Sequence, residues 1–141
     1  MKIGLDIHGV IDKYPSFFSY LTKKLIKNNE IHIITGQQWK SVKPIVSQAN
    51  ISYTHHFSIV DYHMSRSINT PMWQDDKQNY WMPPEVWNKS KGDYISKNNI
   101  KIHFDDSIIY ANFIPKNCIY IVVPKNDFDV NFYQTILYML K

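Results

Sequence analysis

A chain of 141 residues, 44% hydrophobic and 20% charged, is long enough for one folded domain with its own core and has the composition of a globular protein. It contains no apolar run of membrane-spanning length, and Asp6 interrupts the only N-terminal stretch that could begin a signal peptide, so a cytoplasmic location without membrane insertion is expected. One cysteine, Cys118, excludes an intrachain disulfide framework, while a net charge of +4 favours anionic partners such as phosphate esters or nucleic acid.

In chain order, the apolar run before Asp6 reads as a buried strand that stops at a carboxylate, with Gly9 three residues on for a sharp turn. Pro15 suits the first turn of a helix carrying Phe17, Phe18, Leu21, Leu25 and Ile26 at helical spacing. Residues 31–34 form a second strand ending in Thr35-Gly36. Trp39, Val42, Ile45, Val46 and Ala49 are again helically spaced, with Pro44 expected to start or kink that helix. Residues 56–60 read as a third strand.

The next stretch, about 61–87, lacks clear periodicity and is dense in Trp, Tyr, Met and Pro, so an irregular insert is expected there. A helix near 90–98 leads into a strand ending at Asp105-Asp106, followed by a short helix from Ser107. Residues 119–123 read as the last strand. Phe132, Ile136, Leu137 and Leu140 mark one face of a closing helix over 128–140. The alternation predicts a single α/β domain over 1–141 with a mostly parallel sheet and helices on both faces, a three-layer α/β/α sandwich.

Three apolar runs thus end in small polar or acidic groups, and open α/β sheets bind ligands at the carboxyl ends of their strands. Asp6 in that position can serve as nucleophile or metal ligand. Adjacent Asp105 and Asp106 repel each other unless a cation or hydrogen-bond donors compensate, which points to a hard divalent metal. Thr35 and Gly36 offer a hydroxyl and backbone N–H groups to a phosphate oxygen, and Gln37 adds a side-chain amide.

With these residues in order, the chain resembles the haloacid dehalogenase (HAD) superfamily, mostly magnesium-dependent phosphatases with a Rossmann-like fold. Asp6-Ile7-His8-Gly9-Val10 stands for the family's Asp-x-Asp-Gly-(Thr/Val), Thr35 for its second-strand Ser/Thr, a lysine in 88–92 for its Lys, and Asp105-Asp106 for its paired acids. The resemblance implies that Asp6 attacks phosphorus. It also implies that Mg2+ is bound by Asp6, the His8 carbonyl, Asp106 and Asp105, the last directly or through water. Lys91, with Lys89 as competitor, would neutralise the phosphate. His8 stands where the family carries its acid/base Asp; imidazole can do that work near neutral pH.

The implied activity is hydrolysis of a small organic phosphate, a nucleotide among the options, through an aspartyl-phosphate. Two alternatives stay open. One is a HAD-like ligand-binding protein without efficient turnover. The other is a phosphatase for nucleic-acid ends, although no concentrated basic stripe supports nucleic-acid binding. Tyr62, Trp73, Tyr80, Trp81 and Trp87 could stack a nucleobase or simply pack the insert. His55, His56 and His63 with Asp61 suggest a zinc site, against which adjacent strand histidines face opposite ways.

Overall fold

The computed structural model describes residues 1–66, 70–126 and 130–140. Lys2–Leu5 forms β1, Glu30–Thr35 β2, His55–Ser58 β3, Ile102–Asp105 β6 and Ile119–Val122 β7. These five strands pair in the order β3-β2-β1-β6-β7, every pairing parallel. Burial explains the order. β1, β2 and β6 are buried almost residue for residue, as strands in the middle of a parallel sheet must be. β3 and β7 carry exposed residues and lie at the edges.

The chain leaves β1 for β2 on one side and returns to β6 on the other. That makes the carboxyl ends of β1 and β6 the switch point of the sheet, the place where open α/β sheets bind ligands. The backbone N–H of Asp6 donates to Phe104 O at 2.9 Å, which ties the end of β1 to β6.

Helices α1 (Pro15–Leu25), α2 (Trp39–Gln48) and α5 (Val130–Met139) supply Phe18, Leu21, Val42, Val46 and Ile136 to one core. These pack with Ile3, Leu5, Ile31, Ile33 and Phe104 of the sheet. Ile34, adjacent to Ile33 and therefore facing the other way, packs with Ile95 of α4 (Pro84–Lys97), Ile100 and Cys118. Pro15 opens α1 at its first turn, whereas Pro44 lies within α2 and the helix continues past it.

The structure departs from the sequence reading at three places. The third strand ends at Ser58, and Ile59–Ser65 forms α3 where strand 56–60 was expected to continue. The Ser58 hydroxyl accepts from Asp61 N at 3.0 Å, capping the helix and stopping the strand. The 61–87 segment, expected to be irregular, is so only in part: it includes the rest of α3, an antiparallel hairpin of β4 (Trp73–Gln74) and β5 (Tyr80–Trp81), and the first turn of α4. Residues 67–69 of that segment lie outside the described residues, as does residue 128, where the closing helix was expected to begin. Finally, α4 starts at Pro84, not near Ser90, so Lys91 sits in mid-helix.

Candidate functional site

Asp6 follows the last residue of β1 at 8% exposure, and its Oδ1 accepts from Ile7 N at 2.8 Å. Its other oxygen, Oδ2, faces the Lys91 ammonium at 3.5 Å. Lys91 is 1% exposed and donates to Asp105 Oδ2 at 2.7 Å. Asp105, fully buried at the end of β6, accepts at Oδ1 from Ser107 N at 3.0 Å, while His103 Nε2 lies 3.2 Å from Oδ2. Residues two apart on a strand share a face, so His103 and Asp105 meet by strand geometry alone.

Asp106 completes the acidic group. One carboxylate oxygen from each of Asp6, Asp105 and Asp106 lies within 4.8 Å of the others. Gly9 makes room for it: its φ is +76°, and a Cβ there would collide with the Asp106 carboxylate. Glycine is required at this turn on both counts.

Electrostatics follow from three carboxylates facing one ammonium. Burial pushes the Asp6 pKa up to about 6; Asp105 and Asp106 add to the rise and Lys91 opposes it. Burial also works against Asp105 ionising, but His103 and Lys91 hold its pKa well below the usual carboxylate range. For Lys91, burial opposes the charged form, and Asp6 with Asp105 overcome it and raise the pKa. Three carboxylates against one ammonium leave the site with excess negative charge, and Asp6 is the acid whose ionised form this disfavours. Three hard oxygen donors with unneutralised charge suit Mg2+ better than a soft metal.

Thr35 ends β2 beside β1 and is fully buried, yet its Oγ1 has no hydrogen-bond partner among the described residues. Buried hydroxyls are nearly always satisfied, so an orphan at a strand end is a place for a ligand oxygen. A Cβ on Gly36 would collide with the Trp87 indole, so glycine here admits that ring against the loop. Lys89, the competing lysine, is exposed and donates to Asp93 at 2.6 Å. It points away from Asp6, whereas Lys91 points at it.

His8 is exposed, and its Nδ1 lies 3.3 Å from Asp12 Oδ2. Asp12 Oδ1 accepts from Gly9 N at 2.7 Å, bracing the turn that carries His8.

Several neighbours of the site escaped the sequence reading. The Tyr110 ring lies 4.0 Å from Lys91 Nζ, and its hydroxyl accepts from Trp87 Nε1 at 3.0 Å. Gly92 lets the short helical turn Ile108–Phe113 approach α4 closely enough for this, since a Cβ there would strike the Phe113 carbonyl. Gln37, whose amide was expected to face a phosphate oxygen, instead docks the hairpin: its Nε2 donates to Tyr80 O at 2.9 Å and its Oε1 accepts from Tyr80 N at 3.0 Å. Nothing local in the sequence signals Tyr110 or the Gln37 pairing. The i, i+2 spacing of His103 and Asp105 was a usable signal.

The zinc grouping does not assemble. His55 stacks on His32, His56 stacks on Trp39, His63 pairs with Ser90, and Asp61 accepts from Trp39 N. Instead, Glu30, His32 and His55 bring ligand atoms within 4.8 Å of one another, with Lys2 Nζ already 3.2 Å from Glu30.

Comparison with protein-family models finds no match, and neither does comparison with curated proteins. Among the described residues, no helix is long and apolar enough to cross a membrane.

Proposed function

We propose that this chain is a HAD-like, magnesium-dependent phosphohydrolase of three-layer α/β/α architecture acting on a small organic phosphate. The observation that carries the reading is the convergence of Asp6, Lys91, Asp105 and Asp106 at the carboxyl ends of β1 and β6. The order of strand-end residues along the chain is the second support.

In this reading Asp6, Asp106 and the His8 carbonyl, with Asp105 directly or through water, would hold Mg2+, which would supply positive charge against the phosphoryl oxygens. Asp6 Oδ2 attacks phosphorus as the bond to the leaving oxygen breaks, giving an aspartyl-phosphate that water later cleaves. Lys91 and the Thr35 hydroxyl hold phosphoryl oxygens. His8 supplies a proton to the leaving oxygen and takes one from the attacking water. With Nδ1 turned to Asp12, Nε2 would make that transfer.

The exposure of His8 also favours a second reading, a binding protein that keeps the cradle without efficient turnover. A panel of phosphomonoesters assayed with Mg2+ and with chelator separates the two. Magnesium-dependent phosphate release that disappears in Asp6→Asn is expected; release that survives in Asp6→Asn overturns the mechanism.

A further inference from the structure

The hairpin carries two tryptophans that the core does not bury: Trp73 is 51% exposed and Trp81 39%. They sit directly opposite each other across β4 and β5, so both rings stand on one face. Trp81 stacks on Trp87 with ring centroids 5.3 Å apart. Trp87 in turn packs on Gly36 and donates to Tyr110, whose ring lies under Lys91. An unbroken run of aromatic contacts therefore leads from the phosphate cradle to the exposed face of the hairpin.

The run is held in place, not draped. Gln37 grips both backbone groups of Tyr80 two residues after Thr35, so the loop that would take the phosphate also fixes the hairpin. Trp81 Nε1 donates to Asp75 Oδ2 at 2.9 Å, which orients the indole and satisfies its only donor. With its donor satisfied and its ring stacked on Trp87, the exposed part of Trp81 offers aromatic surface. Such a surface selects planar, aromatic groups and does not read hydrogen bonds.

We infer that the leaving group of the substrate is a nucleoside, its base stacking on the Trp81–Trp73 face while its phosphate occupies the Thr35–Lys91 cradle. This rests on the phosphohydrolase reading and names its substrate class. The hairpin turn holds Asp75 and Asp76 against Lys77, a net negative tip that opposes a polyanionic strand, so the substrate is a mononucleotide and not a nucleic-acid end.

The test is calorimetric titration of the wild-type protein, with Mg2+ present, using nucleoside 5′-phosphonates, whose P–C bond does not hydrolyse, and an alkylphosphonate of equal charge. Nucleoside phosphonates should bind about tenfold tighter or more, the range set by stacking one base on one aromatic ring. Trp81→Ala should bring the ratio of the two affinities close to one, and Trp81→Phe should restore most of it. Gln37→Ala, which removes no ring but frees the hairpin, should also lower the ratio and guards against a folding defect in Trp81→Ala. Equal binding of the two ligands overturns the inference and leaves the phosphohydrolase reading standing. Binding of neither overturns both. Tighter binding of a phosphonate-ended oligonucleotide than of the mononucleoside also overturns it.

Discussion

Gly9 and Asp106 compete for the same space: a single methyl group on Gly9 would overlap the Asp106 carboxylate. The turn after β1 and the turn after β6 are thus fitted to each other at the point where the acids converge. Gly9→Ala adds a steric clash to a positive φ, a conformation that costs a non-glycine residue roughly 1–2 kcal/mol by itself. The expected outcome is a loss of about 2 kcal/mol or more in chemical denaturation, together with a weakened response to Mg2+. A variant of unchanged stability and unchanged Mg2+ response would separate Asp106 from the turn.

Magnesium binding should raise the melting temperature of the wild type and should fail to do so in Asp106→Ala, because a ligand of the folded state shifts unfolding. An equal shift in both proteins removes Asp106 from the metal site.

The Mg2+ effect should also depend on pH in a known direction. Asp6, raised from 3.8 to about 6 by burial and its acidic neighbours, must lose its proton to bind a cation. The magnesium-induced shift in melting temperature should therefore be large at pH 7.5 and much smaller at pH 5. Without metal the sign reverses. A carboxyl whose folded pKa is raised stabilises the fold below its unfolded value, and that contribution disappears as pH rises through about 6. Asp105, with its lowered pKa, acts in the opposite sense as pH falls. Metal-free Asp6→Asn should consequently gain stability over wild type at pH 7.5 and show no such gain at pH 4. A wild-type advantage at pH 7.5 would contradict the raised pKa.

Lys91→Ala leaves Asp105 and Asp6 without their ammonium, and breaking a buried pair costs about 3–5 kcal/mol. Lys89→Ala removes only an exposed pair with Asp93 and should change stability by less than about 1 kcal/mol. Phosphate or vanadate affinity should fall in the first variant and hold in the second. The reverse pattern would exchange the two lysines.

These two lysines also indicate what could be read from sequence. The sequence pattern puts Lys91 at the start of a helix over about 90–98, whereas α4 begins at Pro84. Pro at the first helical position and Glu85 in the first turn were available signals. They were masked because the buried face of α4 carries Ser90, Lys91 and Gly92, residues chosen for the site and for the close approach of Phe113, which interrupt an apolar stripe. The end of β3 was misread for a related reason. Ile59 and Val60 favour strands, but Ser58 capping Asp61 decides for helix. The acids were legible because a carboxylate that stops an apolar strand leaves a sharp local mark. The contacts of Tyr110 and Gln37 were not, since each is defined by a partner distant in sequence.

His8 decides between enzyme and binding protein. A working acid/base contributes about 10²–10⁴-fold to rate. If His8 does this work, His8→Asn should reduce kcat by at least about a hundredfold while phosphate affinity is kept. Asp12→Asn should reduce it less, because the Asp12 carboxylate orients the imidazole through Nδ1 without touching substrate. Asp12 also braces the turn through Gly9 N, so its variant must be matched in melting temperature before rates are compared. A wild type without turnover that gains phosphatase activity as His8→Asp would identify a binding protein whose cradle remains complete. A wild type whose turnover is unchanged in His8→Asn would place the proton transfer elsewhere, and His103, already paired with Asp105 and out of solvent, is too enclosed to replace it.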